Sequence, residues 1–160
     1  MKILVFSDSH GQNERMESVI AGSCAEVDMF LFLGDCIDDF IDFQHIFSEK
    51  KFFFVNGNCD FFSSEPSERI VEAAGKKIFM THGHRFGVKS GHQRVLSEAV
   101  ARGADICLYG HSHKPHIAFE QGIHLMNPGS ISLPRGVKYP SYGVIEIEGD
   151  KVNTSIVELI

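Results

Sequence analysis

The hydrophobic positions fall into short unbroken runs separated by longer amphipathic stretches. Ile3-Leu-Val-Phe6, Met29-Phe-Leu-Phe-Leu33, Phe52-Phe-Phe-Val55 and Ile106-Cys-Leu-Tyr109 are too short for helices and hold no polar break, the mark of strands buried on both faces. Asn13 to Ala21 places Met16, Val19 and Ile20 at helical spacing, with Gly22 as a stop signal. Ile37, Phe40, Ile41 and Phe47 mark a second helical face, with Asp38 and Asp39 in its first turn. Val88 to Ala101 predicts a third helix, with Val95, Leu96, Ala99 and Val100 facing inward and Gly103 as the stop. Arg69–Glu72 and Lys77–Met80 flank Ala74-Gly75 as a hairpin. From residue 116 the period shortens towards two. His116–Glu120 and Ile123–Met126 surround Gly122, and Tyr142–Ile147 and Val152–Val157 surround Glu148-Gly-Asp150, a hairpin signal.

Strand and helix therefore alternate in the first part, which predicts parallel β-α-β units, and the last part reads as antiparallel strand. No linker, repeat or low-complexity segment interrupts the pattern. The economical reading is one α/β domain over residues 1–160 with two sheets packed together. At 160 residues such a chain can bury a core of its own. The formal net charge is −6, which excludes a surface-wide footprint for DNA or an anionic membrane but allows a locally positive site. Residues 1–80 carry 7 basic and 14 acidic side chains, and residues 81–160 carry 8 and 7, so the acidity lies in the first half.

Cys24, Cys36, Cys59 and Cys107 form no C-x-x-C pair, which argues against a structural zinc knuckle. The chain opens directly on a strand pattern without a secretory signature, and no apolar run approaches 18 residues. Reduced thiols in a cytoplasmic protein are the expectation, and Asn153-Thr-Ser is then a coincidental sequon. Nine histidines in one small domain direct attention to metal chemistry.

Five predicted strands are each followed at once by polar residues of metal-ligand type. These are Ser7-Asp8-Ser9-His10-Gly11, Gly34-Asp35, Gly57-Asn58-Cys59-Asp60, Thr81-His82-Gly83-His84 and Gly110-His111-Ser112-His113. Ligands of open α/β sheets bind at the carboxyl ends of strands, so these residues would meet in one cleft. Singly, each has an ordinary explanation. Asp8 and Asp35 suit helix N-caps, Asn58 a left-handed turn, and His82 a loop position. Seven such residues at five successive strand ends are improbable as independent caps and turns, and point to a metal site.

The series Asp8-x-His10, Gly34-Asp35, Gly57-Asn58-Cys59-Asp60, His82 and Gly110-His111-x-His113 resembles the calcineurin-like metallophosphoesterase superfamily. The short length, the Asn-Cys-Asp variant and Asn127-Pro-Gly-Ser130 followed by Pro134-Arg135 are similar to its small YfcE-type phosphodiesterase branch. The resemblance spans essentially the whole chain and implies a four-layer α/β/β/α sandwich of two mixed sheets. It further implies two divalent ions, about 3.5–4 Å apart. By position, Asp8, His10 and His113 would hold one ion; Asn58, His82 and His111 would hold the other; and Asp35 would bridge them. The donor set suits manganese first, with iron, nickel, zinc and cobalt as alternatives, better than calcium or magnesium. Two carboxylates against two divalent ions leave a positive pocket in an acidic chain. A bridging hydroxide formed there would attack phosphorus in line.

Larger superfamily members carry His where this chain has Cys59, and a thiol is a poor proton donor at neutral pH. His84 is the nearest substitute as a catalytic proton donor, and equally suits a solvent-facing loop position. Cys59 reads as a small, half-buried structural residue. Backbone N–H groups of Asn127–Ser130 could hold a phosphate oxygen or simply turn the chain, and Arg135 is either a phosphate contact or a solvated surface residue. Phe30, Phe32 and Phe52–Phe54 read as core. Phe61 and Phe62 read as exposed, lining a substrate wall or a subunit contact. No P-loop, nucleophile elbow or dinucleotide fingerprint occurs. The expected partner is a small phosphoester or nucleotide, with no membrane and no extended nucleic-acid surface, and a homodimer or higher homo-oligomer is compatible. The alternatives to a phosphodiesterase are a phosphomonoesterase and a non-catalytic scaffold resembling the retromer subunit, which uses the same fold to bind proteins.

Overall fold

The computed structural model describes residues 1–160 apart from Asp39, so the expectation for that residue lies outside the described residues. Ten strands form two five-stranded sheets. In the first sheet, β1 (Lys2–Phe6), β2 (Met29–Phe32) and β3 (Lys51–Phe54) run parallel, and β9 (Ser141–Glu148) and β10 (Lys151–Glu158) extend it in the order β10-β9-β1-β2-β3. The second sheet contains β4 (Glu68–Ala73), β5 (Lys76–Thr81), β6 (Ile106–Leu108), β7 (Pro115–Glu120) and β8 (Ile123–Pro128), in the order β4-β5-β6-β8-β7. Within it β5, β6 and β8 are parallel. The chain's last four strands are thus not uniformly antiparallel: β8 pairs antiparallel with β7 and parallel with β6.

Alternation along the strands builds the layers. Ile3 and Val5 of β1 point between the sheets, where they meet Leu31, Ile78, Met80, Ile106, Leu108 and Ile145. Leu4 and Phe6 point the other way, under α1 (Glu14–Ser23) and α2 (Asp38–Ile46). Phe40 of α2 lies within 5.1–6.4 Å, ring centroid to centroid, of Phe6, Phe32, Phe52 and Phe54. Each such side chain contributes about 1.5–3 kcal/mol on burial. Helix α3 (Gln93–Ala101) covers the outer face of the second sheet with Val95, Leu96 and Ala99 against Phe79, Cys107 and Leu125. The layer order is therefore α/β/β/α.

Three local expectations are corrected. Helix α1 passes through Gly22 and ends at Ser23. Helix α3 begins at Gln93, not Val88, because Gly91 at φ +148° breaks the helical path. Val100, expected inside, is 42% exposed, since the shorter helix turns only Val95, Leu96 and Ala99 onto the sheet.

Candidate metal centre

The loops after β1, β2, β3, β5 and β6 converge on one rim of the sandwich. They approach so closely that Gly34, Gly57 and Gly110 have no room for a side chain. A Cβ on Gly57 would lie 2.2 Å from Asp35 Oδ1, and one on Gly110 would lie 2.0 Å from Ser7 Oγ. The backbone is also bent unusually. Asp8, His10, Asp35, Cys36, His111 and His113 all have φ between 49° and 78°, a region costly for residues with a Cβ and one that gathers at functional sites. Asp8 and Asp35 are not helix caps: those positions belong to Asn13 and Ile37. Asn58 is not among the residues with positive φ.

Asp8 is fully buried and held on three sides. Ser7 Oγ and the His111 N–H donate to its Oδ2 at 2.5 and 3.1 Å. Ser130 and Ser132 hydroxyls donate to its backbone carbonyl at 2.7 and 3.0 Å. Its other carboxylate oxygen, Oδ1, is buried without a hydrogen-bond partner, and faces the Nε2 atoms of His113 at 3.2 Å and of His10 and His82 at 3.9 Å. Asp35 Oδ1 accepts the Cys59 N–H at 2.9 Å, while Oδ2 lies 3.5 Å from His82 Nε2 and 3.7 Å from His10 Nε2.

Backbone carbonyls orient two of the imidazoles. His82 Nδ1 donates to the Leu33 carbonyl and His113 Nδ1 to the Leu133 carbonyl, both at 2.7 Å. In the neutral rings Nε2 is therefore a bare lone pair. His82 Nε2 meets Asn58 Oδ1 and His111 Nδ1 at 3.2 Å each, and His113 Nε2 meets His10 Nε2 at 3.2 Å. His82 Nε2 and Asn58 Oδ1 are then two acceptors aimed at each other, which repel unless something positive lies between them, whereas His111 and His10 face His82 and His113 either as N–H donors or across a shared cation. A single proton on His82 Nε2 cannot serve Asn58, His111 and Asp35 together, whereas a cation can. The donors thus fit divalent ions in two clusters, Asp8–His10–His113 and Asp35–His82–His111, with Asn58 beside the second and Asp35 within reach of both.

The titration behaviour has the same origin. Burial disfavours both carboxylates' charged forms, yet Asp8 and Asp35 are held below the ordinary range, Asp8 by His113 and His82 and Asp35 by His82. Burial alone would lower His82 and His113, but the two carboxylates overcome it and raise both. His111 goes the other way, down to about 4, through burial and the neighbouring charges of His82 and Lys89. The carboxylate charge that favours protons on His82 and His113 would equally favour bound cations in their place.

Cys59 is exposed, not half-buried as its size suggested. Its Sγ lies within reach of the same point as His10 and Asp35. Partial burial and the Asp35 carboxylate push the thiol up to about 11, so it is neither a thiolate ligand in the metal-free protein nor an acid at neutral pH. His84 is half-buried, its ring 5.5 Å from that of His82 and 6.0 Å from that of His111, and its Nδ1 is buried without a hydrogen-bond partner. Burial and the charges of His82 and Arg85 lower its pKa, which favours neutral imidazole. The Asn127–Ser130 turn braces Asp8 from beneath: the Gly129 N–H donates to Asn127 Oδ1 and the Ile131 N–H to the Ser7 carbonyl. Those two amides are thereby withdrawn from any ligand.

Sequence reasoning passed over Asp60. Its carboxylate accepts the N–H groups of Gly57, Asp35, Cys36 and Ile37 at 2.7–3.0 Å, tying the β2 and β3 loops together. The available signal was an aspartate three residues after a loop glycine, which suits a side-chain-to-backbone turn.

A family model described as the calcineurin-like phosphoesterase superfamily domain matches residues 1–150. The probable metallophosphoesterase YsnB of Bacillus subtilis is 36% identical over 94% of this chain and 86% of its own. The phosphodiesterase YfcE of Escherichia coli is 29% identical over 91% of this chain and 88% of its own, and its solved structure superposes with a TM-score of 0.68. At 20% identity, Vps29 of Entamoeba histolytica, solved with zinc, covers 99% of both chains with a TM-score of 0.77, a likeness of fold alone.

Proposed function

The chain belongs to the calcineurin-like phosphoesterase superfamily, and from that premise we propose that residues 1–160 form one metallophosphoesterase domain that hydrolyses phosphodiesters in the cytoplasm. Its site would comprise Asp8, His10, Asp35, Asn58, His82, His111 and His113, with two divalent ions, manganese first. One observation carries this reading: two clusters of facing imidazoles and carboxylates both lie within reach of Asp35, and one of them holds the orphaned, fully buried Asp8 Oδ1. Four imidazoles, two carboxylates and one amide oxygen match a borderline divalent metal. When bound, such ions neutralise charge on a phosphoryl group and lower the pKa of water towards about 7, making hydroxide available for in-line attack.

The protein's own part is positioning. Leu33 and Leu133 carbonyls fix the tautomers of His82 and His113, so Nε2 of each stays open towards the site. Ser7 and the His111 N–H hold Asp8 Oδ2, which leaves Oδ1 as its ligating atom. Asp60 keeps the Asp35 and Asn58 loops in register. With Cys59 protonated and His84 favouring its neutral form, no strong acid stands ready for the leaving oxygen. Diesters with good leaving groups are therefore favoured over alkyl monoesters, since general acid catalysis is worth about 10²–10⁴-fold.

The scaffold reading shares the fold and is separated by measurement. The full chain is purified, its metal content determined, and turnover of bis(p-nitrophenyl) phosphate and of alkyl phosphomonoesters followed with added Mn, Fe, Ni, Zn or Co. Two ions per chain and faster diester hydrolysis are expected. Faster hydrolysis of unactivated monoesters would refute the diesterase reading, and a metal-free, inactive protein would favour the scaffold.

A further inference from the structure

Resting on the phosphodiesterase reading, we propose that a basic groove beside the metal centre binds a second phosphate of the substrate, so that the preferred class is a phosphodiester bearing a further terminal phosphate. The groove, about 640 Å³, is bordered by Ser112, the residue between His111 and His113. It therefore begins where the proposed ligands end. Lys89, Lys114 and Arg135 line it, and no carboxylate is among its described lining residues. They come from three separate segments: the loop before α3, the residue after His113, and the loop whose Arg135 N–H donates to the His113 carbonyl at 3.0 Å. The Lys114 chain runs along Gly136, where an added Cβ would lie 3.4 Å from its Cε.

The three cations lack counter-charges. Arg69 and Arg102 pair with glutamates, whereas Lys89, Lys114 and Arg135 form no ion pair among the described residues. In a chain of net charge −6, three unpaired cations around one concavity make a local anion site. The far wall is braced. Tyr109 OH and His116 Nδ1 lie 2.8 Å apart, the His116 ring stacks on His92 at 4.8 Å, and His92 Nε2 meets Glu120 Oε1 at 2.9 Å. The nearby carboxylate of Glu120 is thus engaged by His92.

The opposite flank is unsuited to an anion. A groove of about 440 Å³ there is lined by Asp38, Asp60 and Glu65 together with Phe61 and Phe62, which are 81% and 103% exposed. The two flanks give the centre a polarity that directs a distal phosphate towards Lys89, Lys114 and Arg135. The basic groove also falls within the size range of small-ligand sites, about 300–1,000 Å³.

The test compares thymidine 5′-monophosphate with thymidine 3′,5′-bisphosphate by calorimetric titration of the full, manganese-supplied chain. The bisphosphate is expected to bind about tenfold tighter. Lys89→Ala and Lys114→Ala should each cut that ratio about threefold, their combination should bring it near one, and Lys89→Arg should retain it. Equal affinities in the unmodified protein would overturn the proposal, as would an unchanged ratio in folded single variants, with circular dichroism as the control. Turnover of the p-nitrophenyl 5′-diesters of the same two nucleotides, which share a leaving group, isolates the other reading. An intact binding ratio without turnover sinks the phosphodiesterase reading alone. Turnover with a binding ratio near one sinks the groove alone.

Discussion

The Asp60 carboxylate and the Asp35 backbone are joined by an N–H···O bond of 2.9 Å, and the same carboxylate holds the N–H groups of Cys36, Ile37 and Gly57. Asp60 makes no contribution as a ligand, yet it sets where Asp35 stands. Asp60→Ala strands four amides, and hydrogen bonds to a charged group contribute about 1.5–3 kcal/mol each. Allowing for water at the half-exposed site, we expect a loss of about 2–4 kcal/mol in denaturant unfolding. Turnover should fall at least tenfold at saturating metal. Wild-type stability in this variant would contradict the role assigned to Asp60.

Asp35→Asn is expected to be the most damaging change within the site. It lies within reach of both clusters, so neutralising it weakens two ions together. Losses of outer supporting groups cost about 10–100-fold, and this change should exceed them. His10→Ala should empty chiefly the Asp8–His113 side and His82→Ala chiefly the other. Metal stoichiometry and turnover, with circular dichroism for folding, decide the matter. Two bound ions and near-normal turnover in Asp35→Asn would dismiss the two-metal assignment.

Cys59→His should raise activity towards poorer leaving groups and flatten the dependence of log rate on leaving-group pKa. Cys59→Ser should leave the chemical step nearly unchanged, because a thiol pushed up to about 11 donates no proton at neutral pH. An unaltered slope in a folded, metal-loaded Cys59→His protein would refute the assignment.

The pH dependence of stability should invert with metal. In the metal-free protein His82 and His113 have raised pKa values, so their contribution is complete below about 6.5 and is lost as pH rises through the folded values. His111, His84 and His116 are lowered, so their protonation in the unfolded chain costs stability as pH falls from about 6.5 towards 4. Metal-free Tm should therefore peak near pH 6.5. With manganese at fixed excess, Tm should keep rising above that pH, because metal binds the deprotonated imidazoles. Thermal scans from pH 4 to 9 with and without chelator measure both curves, and parallel curves would argue against the proposed ligands.

Much of this molecule is legible along the chain because the relevant information is local. Ile3–Phe6 and Met29–Leu33 read as buried strands since every residue is apolar and the runs are too short for anything else. The polar residues immediately after them announce the site, because parallel strands deliver their C-terminal ends to one rim. Other features are invisible to any local reading. The start of α3 depends on the path of the backbone through Gly91, and the parallel insertion of β8 beside β6 is a pairing across the fold. The openness of His82 and His113 is set by the carbonyls of Leu33 and Leu133, 49 and 20 residues away, and every residue type carries the same carbonyl. Asp60 looks like any loop aspartate until two loops close around it. Residue type and order therefore prescribe the elements and the inventory of donors. Which lone pairs face one another, and which charges go unpaired, is decided by backbone groups and distances that exist only once the sheets have packed.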